Sequence, residues 1–230
     1  MRSLAHRCLA VTLSPEPMDE ATTHRLPDGT LVRTRPLRPE DRDKLRNGFA
    51  RLSPESKYRR FFSTPATLSE ATLDYLTRTD GRDHVAIGAE RAEKGADTSY
   101  GIGIARFVRL AEEPTAAEAA VAVIDEMQRH GVGRLLLHEL IKAARERGIT
   151  TFVCHVLPGN TLVTSLLRDI DAQALPHLEE GMLTYRMTLP DPSADERGEG
   201  AMFRLFRLAA EGLQVIFRRL PGSGPDADEP

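Results

Sequence analysis

Cysteine is scarce in this 230-residue chain: Cys8 and Cys154 stand far apart, so the sequence offers no disulfide framework. The second lies in an apolar stretch, 151–156, where a thiol packs as a small hydrophobe. No apolar run reaches the ~18 residues that would span a bilayer, and His6 and Arg7 interrupt the leucine-bearing first segment. Neither a membrane span nor an export signal is therefore expected, and the compartment is read as cytoplasmic. Basic residues never gather into a block dense enough to track a phosphate backbone, and the formal charge is −3, so nucleic-acid binding is set aside. His130 and His155 have no cysteine or second histidine at ligand spacing, and no metal site is expected. What is present suffices for a core: hydrophobic residues make up 40% of the chain, which fits one main α/β domain with separate ends.

That domain is organised around the stretch from Ala117 to Gly148. Residues 119–124 are small or β-branched and suit a buried strand, whereas Val132, Leu135, Leu136, Leu140, Ile141 and Ala144 recur at helical spacing. Gly148, after Lys142, Arg145 and Arg147, is a glycine stop behind a basic last turn. Between strand and helix stands the polar turn Gln128-Arg129-His130-Gly131-Val132-Gly133. A turn of this kind aims unpaired backbone N–H groups, at the positive end of a helix dipole, at whatever lies above it, and so makes an anion site suited to phosphate. A dinucleotide fingerprint fails because Leu136 stands where a third small residue is needed, and a P-loop fails because Arg134 follows Gly133. The pattern that fits is Gln/Arg-x-x-Gly-x-Gly/Ala.

In its setting, with an apolar strand before it, a long amphipathic helix after it, a strand at 150–156 and Pro158-Gly159-Asn160 opening another helix, this turn resembles that of the GNAT superfamily of N-acetyltransferases. The resemblance implies a mixed central β-sheet flanked by helices in a single domain, with acetyl-CoA as co-substrate and its pyrophosphate held by the turn. It narrows at two further segments. Leu52-Ser53-Pro54-Glu55-Ser56-Lys57-Tyr58-Arg59-Arg60-Phe61-Phe62 and Gly103-Ile104-Ala105-Arg106-Phe107-Val108-Arg109 are similar to regions of bacterial protein lysine acetyltransferases, which acylate acyl-CoA synthetases and other proteins. The likeness runs from about Leu31 to Leu189. One departure stands out: Asp169-Ile170-Asp171-Ala172 follows the last helix where family members usually carry a glycine and an aromatic.

Taken in order, residues 1–23 are expected to be a disordered or extended start, and 24–190 the acetyltransferase domain. The expected elements are a strand at 31–37, a helix with Leu45, Phe49 and Leu52 on one face, a short helix capped by Ser53, and a helix from 68 stopped by Asp80-Gly81. Tyr58, Phe61 and Phe62 read as core packing rather than substrate contact. A hairpin of 84–89 with 100–110 follows, then the central unit, the strand at 151–156, a helix to about 169, and weak strands near 172–177 and 182–189. Gly101 and Gly103 mark close packing or a bulge rather than a phosphate loop. Residues 191–200 read as a linker and 201–220 as a basic amphipathic helix that docks on its own domain or a second subunit, or lies on an anionic membrane surface. Residues 221–230 read as a disordered tail.

Acetyl transfer to an amine needs a seat for the phosphates, donors for the oxyanion, and a base, since a free lysine of pKa about 10.4 is almost wholly protonated at pH 7. Glu118 is the candidate base: the resembled lysine acetyltransferases carry their catalytic glutamate in a similar Ala-Glu-x-Ala-Val segment, here 117–121. Glu113 and Glu126 are reserves. The resemblance also implies that backbone groups around Val121 and Val123 serve the oxyanion and the pantetheine arm where the strand splays from its neighbour. Gln128, Arg129, His130, Gly131, Val132, Gly133 and Arg134 would then meet the pyrophosphate, and Asn160 the coenzyme arm or its own helix as a cap. The leading function is acetylation of a protein lysine side chain. Alternatives are acetylation of a small-molecule amine, and a degenerate domain that binds acyl-CoA without catalysis.

Overall fold

In the computed structural model, which describes residues 21–61, 65–159, 164, 167, 171 and 173–190, alternating burial marks the first paired strands. Strand β1 (Thr22–Arg25) turns through Pro27-Asp28-Gly29 into β2 (Leu31–Pro36), whose Val32 and Thr34 are buried. Asp28 Oδ1 accepts from the Thr30 amide at 2.9 Å, an Asx turn that fixes the hairpin. The sheet thus begins at Thr22, slightly ahead of the domain start read at residue 24. The expected linker, the amphipathic segment 201–220, the tail and Asn160 lie outside the described residues.

Three short helices follow: α1 (Arg42–Ala50), α2 (Pro54–Phe61) and α3 (Glu70–Thr77). Ser69 caps α3 by accepting from the Thr72 amide, and the helix ends at Thr77, ahead of the expected Asp80-Gly81 stop. Asp80 instead accepts from the amides of Arg82, Asp83 and His84 at 2.8 Å each and so shapes the approach to the next strand. Of the aromatics expected to pack into the core here, Tyr58 does not: it is 50% exposed.

Strands β3 (His84–Arg91), β4 (Gly103–Leu110) and β5 (Glu113–Val123) form an antiparallel meander. β5 starts six residues before the expected 119–124 run, because the β4–β5 connection is a tight turn at Ala111-Glu112 rather than a loop. Helix α4 (Val132–Glu146) then crosses over to β6 (Thr151–Val156), which lies parallel to β5 as a helical crossover requires. β7 (His177–Glu179) and β8 (Met182–Thr188) close the eight-stranded sheet in the order β1-β2-β3-β4-β5-β6-β8-β7. The strand expected over 172–177 is confined to 177–179. No helix among the described residues is long and apolar enough to cross a membrane.

Strand alternation divides the sheet between two layers. Ala105, Phe107, Ala119, Val121 and Val123 join the main core with α4, whose buried Val132, Leu136, Leu140 and Ala144 lie on one helical face. A Cβ on Gly103 would stand 2.8 Å from Leu136 Cδ1 and 3.1 Å from the Ala122 carbonyl oxygen, so any side chain there would have to displace the Leu136 side chain that α4 presses onto the sheet. Ile104 faces the other way, into the smaller cluster of Phe49, Leu68, Leu73 and Leu76 beneath α1 and α3.

Candidate active site

β5 and β6 are paired only at Ala116–Thr151, Ala117–Phe152 and Glu118–Val153. Beyond that point β5 continues to Val123 on β4, and β6 continues to Val156 on β8, with no pairing between them. The two strands open as a V with its vertex at Glu118 and Val153. The amide of Ile124 donates to the Ile102 carbonyl at 3.1 Å. In an antiparallel ladder hydrogen-bonded pairs alternate, so Ala122 and Ala120 turn their backbone groups toward β4, while Val123, Val121 and Ala119 turn theirs into the V. The side chains of Val121 and Val123 point to the α4 core, which leaves their peptide groups as the polar lining of that edge.

At the open end lies the glycine turn. Gly131 is the N-cap of α4 with φ 93°, a left-handed backbone that L side chains adopt at a cost, and Arg129 also has positive φ, 66°. The first backbone bond of the helix runs from the Leu135 amide to the Gly131 carbonyl at 3.0 Å. The amides just ahead of it have no carbonyl one turn back within the helix, and the helix dipole adds partial positive charge there. Such a turn offers the polarity that suits an anion.

Gln128 acts as a brace. Its Nε2 donates to the Val123 carbonyl at 3.2 Å and to Ser56 Oγ at 3.3 Å, tying turn, strand and α2 together. The Ser56 hydroxyl donates to Asp125, which also accepts from the amide and hydroxyl of Ser53. The start of α2 is thus bolted to the approach to the glycine turn. His130 is drawn to the β1–β2 turn, its Nδ1 2.7 Å from Asp28 Oδ2, and this bond, with that from Thr30, lowers the Asp28 carboxyl to about 2. Arg134 is half-buried, and desolvation lowers its pKa to about 10. Gln128 and His130 are thus engaged locally by neighbouring strand, helix and hairpin.

Glu118 is half-buried on the α1–α3 face of the sheet, on the same side as Val108 opposite it. Its reserves are committed elsewhere: Glu113 pairs with Arg186 at 2.5 Å, and Glu126 accepts from Arg51 and from the Tyr100 hydroxyl. Cys154, one residue past the vertex on β6, is buried; burial, with the charge of Glu118 as a lesser cause, pushes its thiol up and keeps it un-ionised. The sequence alone does not single out Arg106, a buried cation in β4, or Asp28, which holds His130 to the β1–β2 turn. Arg106 carried a signal, since in Gly103–Leu110 it is a cation on an inward face of an alternating strand; Asp28 carried none beyond its turn.

The sequence model described as "Acetyltransferase (GNAT) family" matches residues 51–168. The acetyltransferase Pat of Mycolicibacterium smegmatis is 31% identical over 169 residues, which cover 74% of this chain and 47% of that protein. Acetyltransferase PA5475 of Pseudomonas aeruginosa is 37% identical over 123 residues, 54% of this chain and 64% of that protein. The chain spans about half the length of the first of these relatives and under two thirds of the second. Among solved structures, the GNAT domain of S. lividans PAT superposes with a TM-score of 0.63 at 30% identity, over 74% of this chain and 97% of that one.

Proposed function

Because this chain belongs to the GNAT family of acetyltransferases, we propose that it moves the acetyl group of acetyl-CoA directly to a protein lysine side chain, with Glu118 as general base. The observation that carries the reading is the coincidence of Glu118 with the vertex at which β5 and β6 part. A coenzyme whose pyrophosphate rests on the amides of 129–133 runs its pantetheine arm along the inward-turned peptides of Val123 and Val121, and its thioester then reaches toward the vertex. Backbone donors in that edge stabilise the oxyanion.

The chemistry balances without a covalent enzyme intermediate. The amine nitrogen attacks the thioester carbon, the C–S bond breaks as the amide C–N bond forms, Glu118 takes the amine proton, and the thiolate of CoA leaves. Ammonium is not nucleophilic, so the base is needed chiefly to supply free amine at neutral pH.

The lysine-bearing acceptor is supported by the two segments that lie outside the generic coenzyme site, 52–62 and 103–109, and by identity to proteins named Pat. The exposed Tyr58 on α2 and the exposed Glu112 at the β4–β5 turn suit an open surface that meets a cationic segment of another protein. The test is thiol release from acetyl-CoA in the presence of an acyl-CoA synthetase, free lysine or a polyamine. The protein acceptor is expected to be used fastest; turnover on the small amines alone would favour a small-molecule acetyltransferase.

A further inference from the structure

Among the described residues the exposed large apolar side chains are Tyr58 on α2, and Leu175 and Leu178 at the far edge of the sheet, 74% and 71% exposed. Leu178 lies in β7, the last strand in the sheet order, and stands directly opposite Leu183 of β8. Leu183 is half-buried against the main core, so Leu178, on the same face, carries apolar surface past the edge of that core. Leu175 leads into the same strand across Pro176. Two leucines so close in the chain and so little covered form a patch, and patches mark contact sites where singly scattered apolar residues do not.

The size of the patch decides what covers it. A separate partner protein needs an interface of about 1,200–2,000 Å², far more than two leucines supply. A segment of the same chain needs much less, because its tether holds it at an effective concentration on the order of millimolar. Such a segment follows β8 directly. Met202, Leu205, Phe206 and Ala209 recur at helical spacing, with Arg204 and Arg207 between them, and 201–220 as a whole carries four arginines against one glutamate. The patch has the complementary sign at its rim, where Glu179 and Glu180 are exposed. The reach is sufficient. From Pro190 back along β8 to the level of Leu183 is about 24 Å at the rise of an extended strand, and the eleven residues 191–201 span up to ~36–40 Å.

We propose that 201–220 docks on its own domain at this edge: the apolar stripe that begins at Met202 covers Leu175 and Leu178, and Arg204 and Arg207 lie toward the acidic rim. The segment is thereby committed to the chain that carries it, not to a second copy and not to lipid. Docking also covers β7, a three-residue edge strand paired on one side by β8. Each leucine taken from water shifts the docking equilibrium by about tenfold or more, which the slowly growing cost of closing a short linker does not cancel. An apolar stripe engaged on β7 is withdrawn from any membrane surface.

The experiment is amide hydrogen exchange on the full chain, as wild type and as Leu178→Asp or Phe206→Asp. Leu178 is largely exposed, so aspartate there spares the core. In the wild-type chain the amides of 202–209 and of 174–179 should both be protected. Leu178→Asp should speed exchange across 202–209, and Phe206→Asp across 174–179, by about tenfold or more in each case. Reciprocal loss between two stretches distant in sequence is the mark of docking. Absence of protection over 202–209 in the wild type, or protection there that survives Leu178→Asp, overturns the proposal. Two further outcomes overturn it as well. Protection that fades on dilution, in step with a fall to monomer mass in light scattering, assigns the patch to a second copy. Protection of 202–209 that arises only with vesicles containing phosphatidylserine assigns the segment to a membrane surface.

Discussion

In the proposed reaction, Glu118 and Gly133 stand for its two halves at the scale of single residues. Glu118→Gln keeps the shape and hydrogen-bonding reach of the side chain and removes its basicity. Affinity for acetyl-CoA should hold nearly constant while kcat falls by on the order of 10²–10⁴, the usual worth of a positioned base; unchanged turnover from pH 6 to 9 would place the base elsewhere. For the turn, Gly131 is the less informative glycine to replace. Its φ of 93° makes any side chain costly, and an added Cβ would lie 3.6 Å from Pro27 Cδ, so a valine there perturbs the hairpin contact as well as the coenzyme path. Gly133 lies within the first turn of α4, and Gly133→Val should cost binding through access to the amides. Calorimetry on the folded variant is expected to show acetyl-CoA affinity reduced below detection, and wild-type affinity would remove the phosphate from this turn.

The elements that position the site are held by ionic contacts that are buried enough to report on pH. Asp41, at the start of α1, is bonded bidentately by Arg35 of β2 at 2.6 and 2.7 Å, and Glu90 of β3 by Arg33 and by Lys44 of α1. For both carboxyls burial pushes the pKa up, but hydrogen bonds to these cations outweigh it and leave the folded values below the ordinary ones. A depressed folded pKa contributes stability that is fully present above the unfolded value of about 4 and lost as pH falls through the folded value. The melting temperature should thus drop steadily below about pH 4, and Glu90→Gln should flatten part of that slope; a parallel curve for the variant would deny Glu90 this role. At the other end of the same helical layer, Asp125→Ala should free α2 from the glycine turn, because Ser53 and Ser56 both donate to that carboxylate. Its mark should be a raised KM for acetyl-CoA with kcat much less affected. A fall in kcat alone would mean that α2 serves the acceptor rather than the turn.

Across the whole molecule, what was legible in the sequence is what depends on local period and on turn chemistry. The β5–turn–α4 unit was readable because Gly131 and Gly133 sit where strand periodicity gives way to helical periodicity, and Gly148, with φ 74°, ends the helix as expected. The length of β5 was not, because Glu113 and Pro114 lack strand propensity and are drafted into the sheet by the pairing of Glu113 with β4 and with Arg186. Tyr58 misled because an aromatic at helical spacing carries no mark of whether anything packs over it. Arg106 was missed for the converse reason: its partner Tyr75 lies in α3, 31 residues earlier. The acceptor is the part that local pattern says least about, since the proposed acceptor surface draws on Tyr58 of α2, the β4–β5 turn and the vertex, which are far apart in the sequence. The most direct test is mass spectrometry of a purified acyl-CoA synthetase incubated with acetyl-CoA and either the full chain or its Glu118→Gln variant. Acetyl-lysine on the protein acceptor with the former, and its near absence with the latter, is the expected result. Label confined to added small amines, or equal lysine labelling by both chains, would contradict transfer to protein lysine at a vertex served by Glu118.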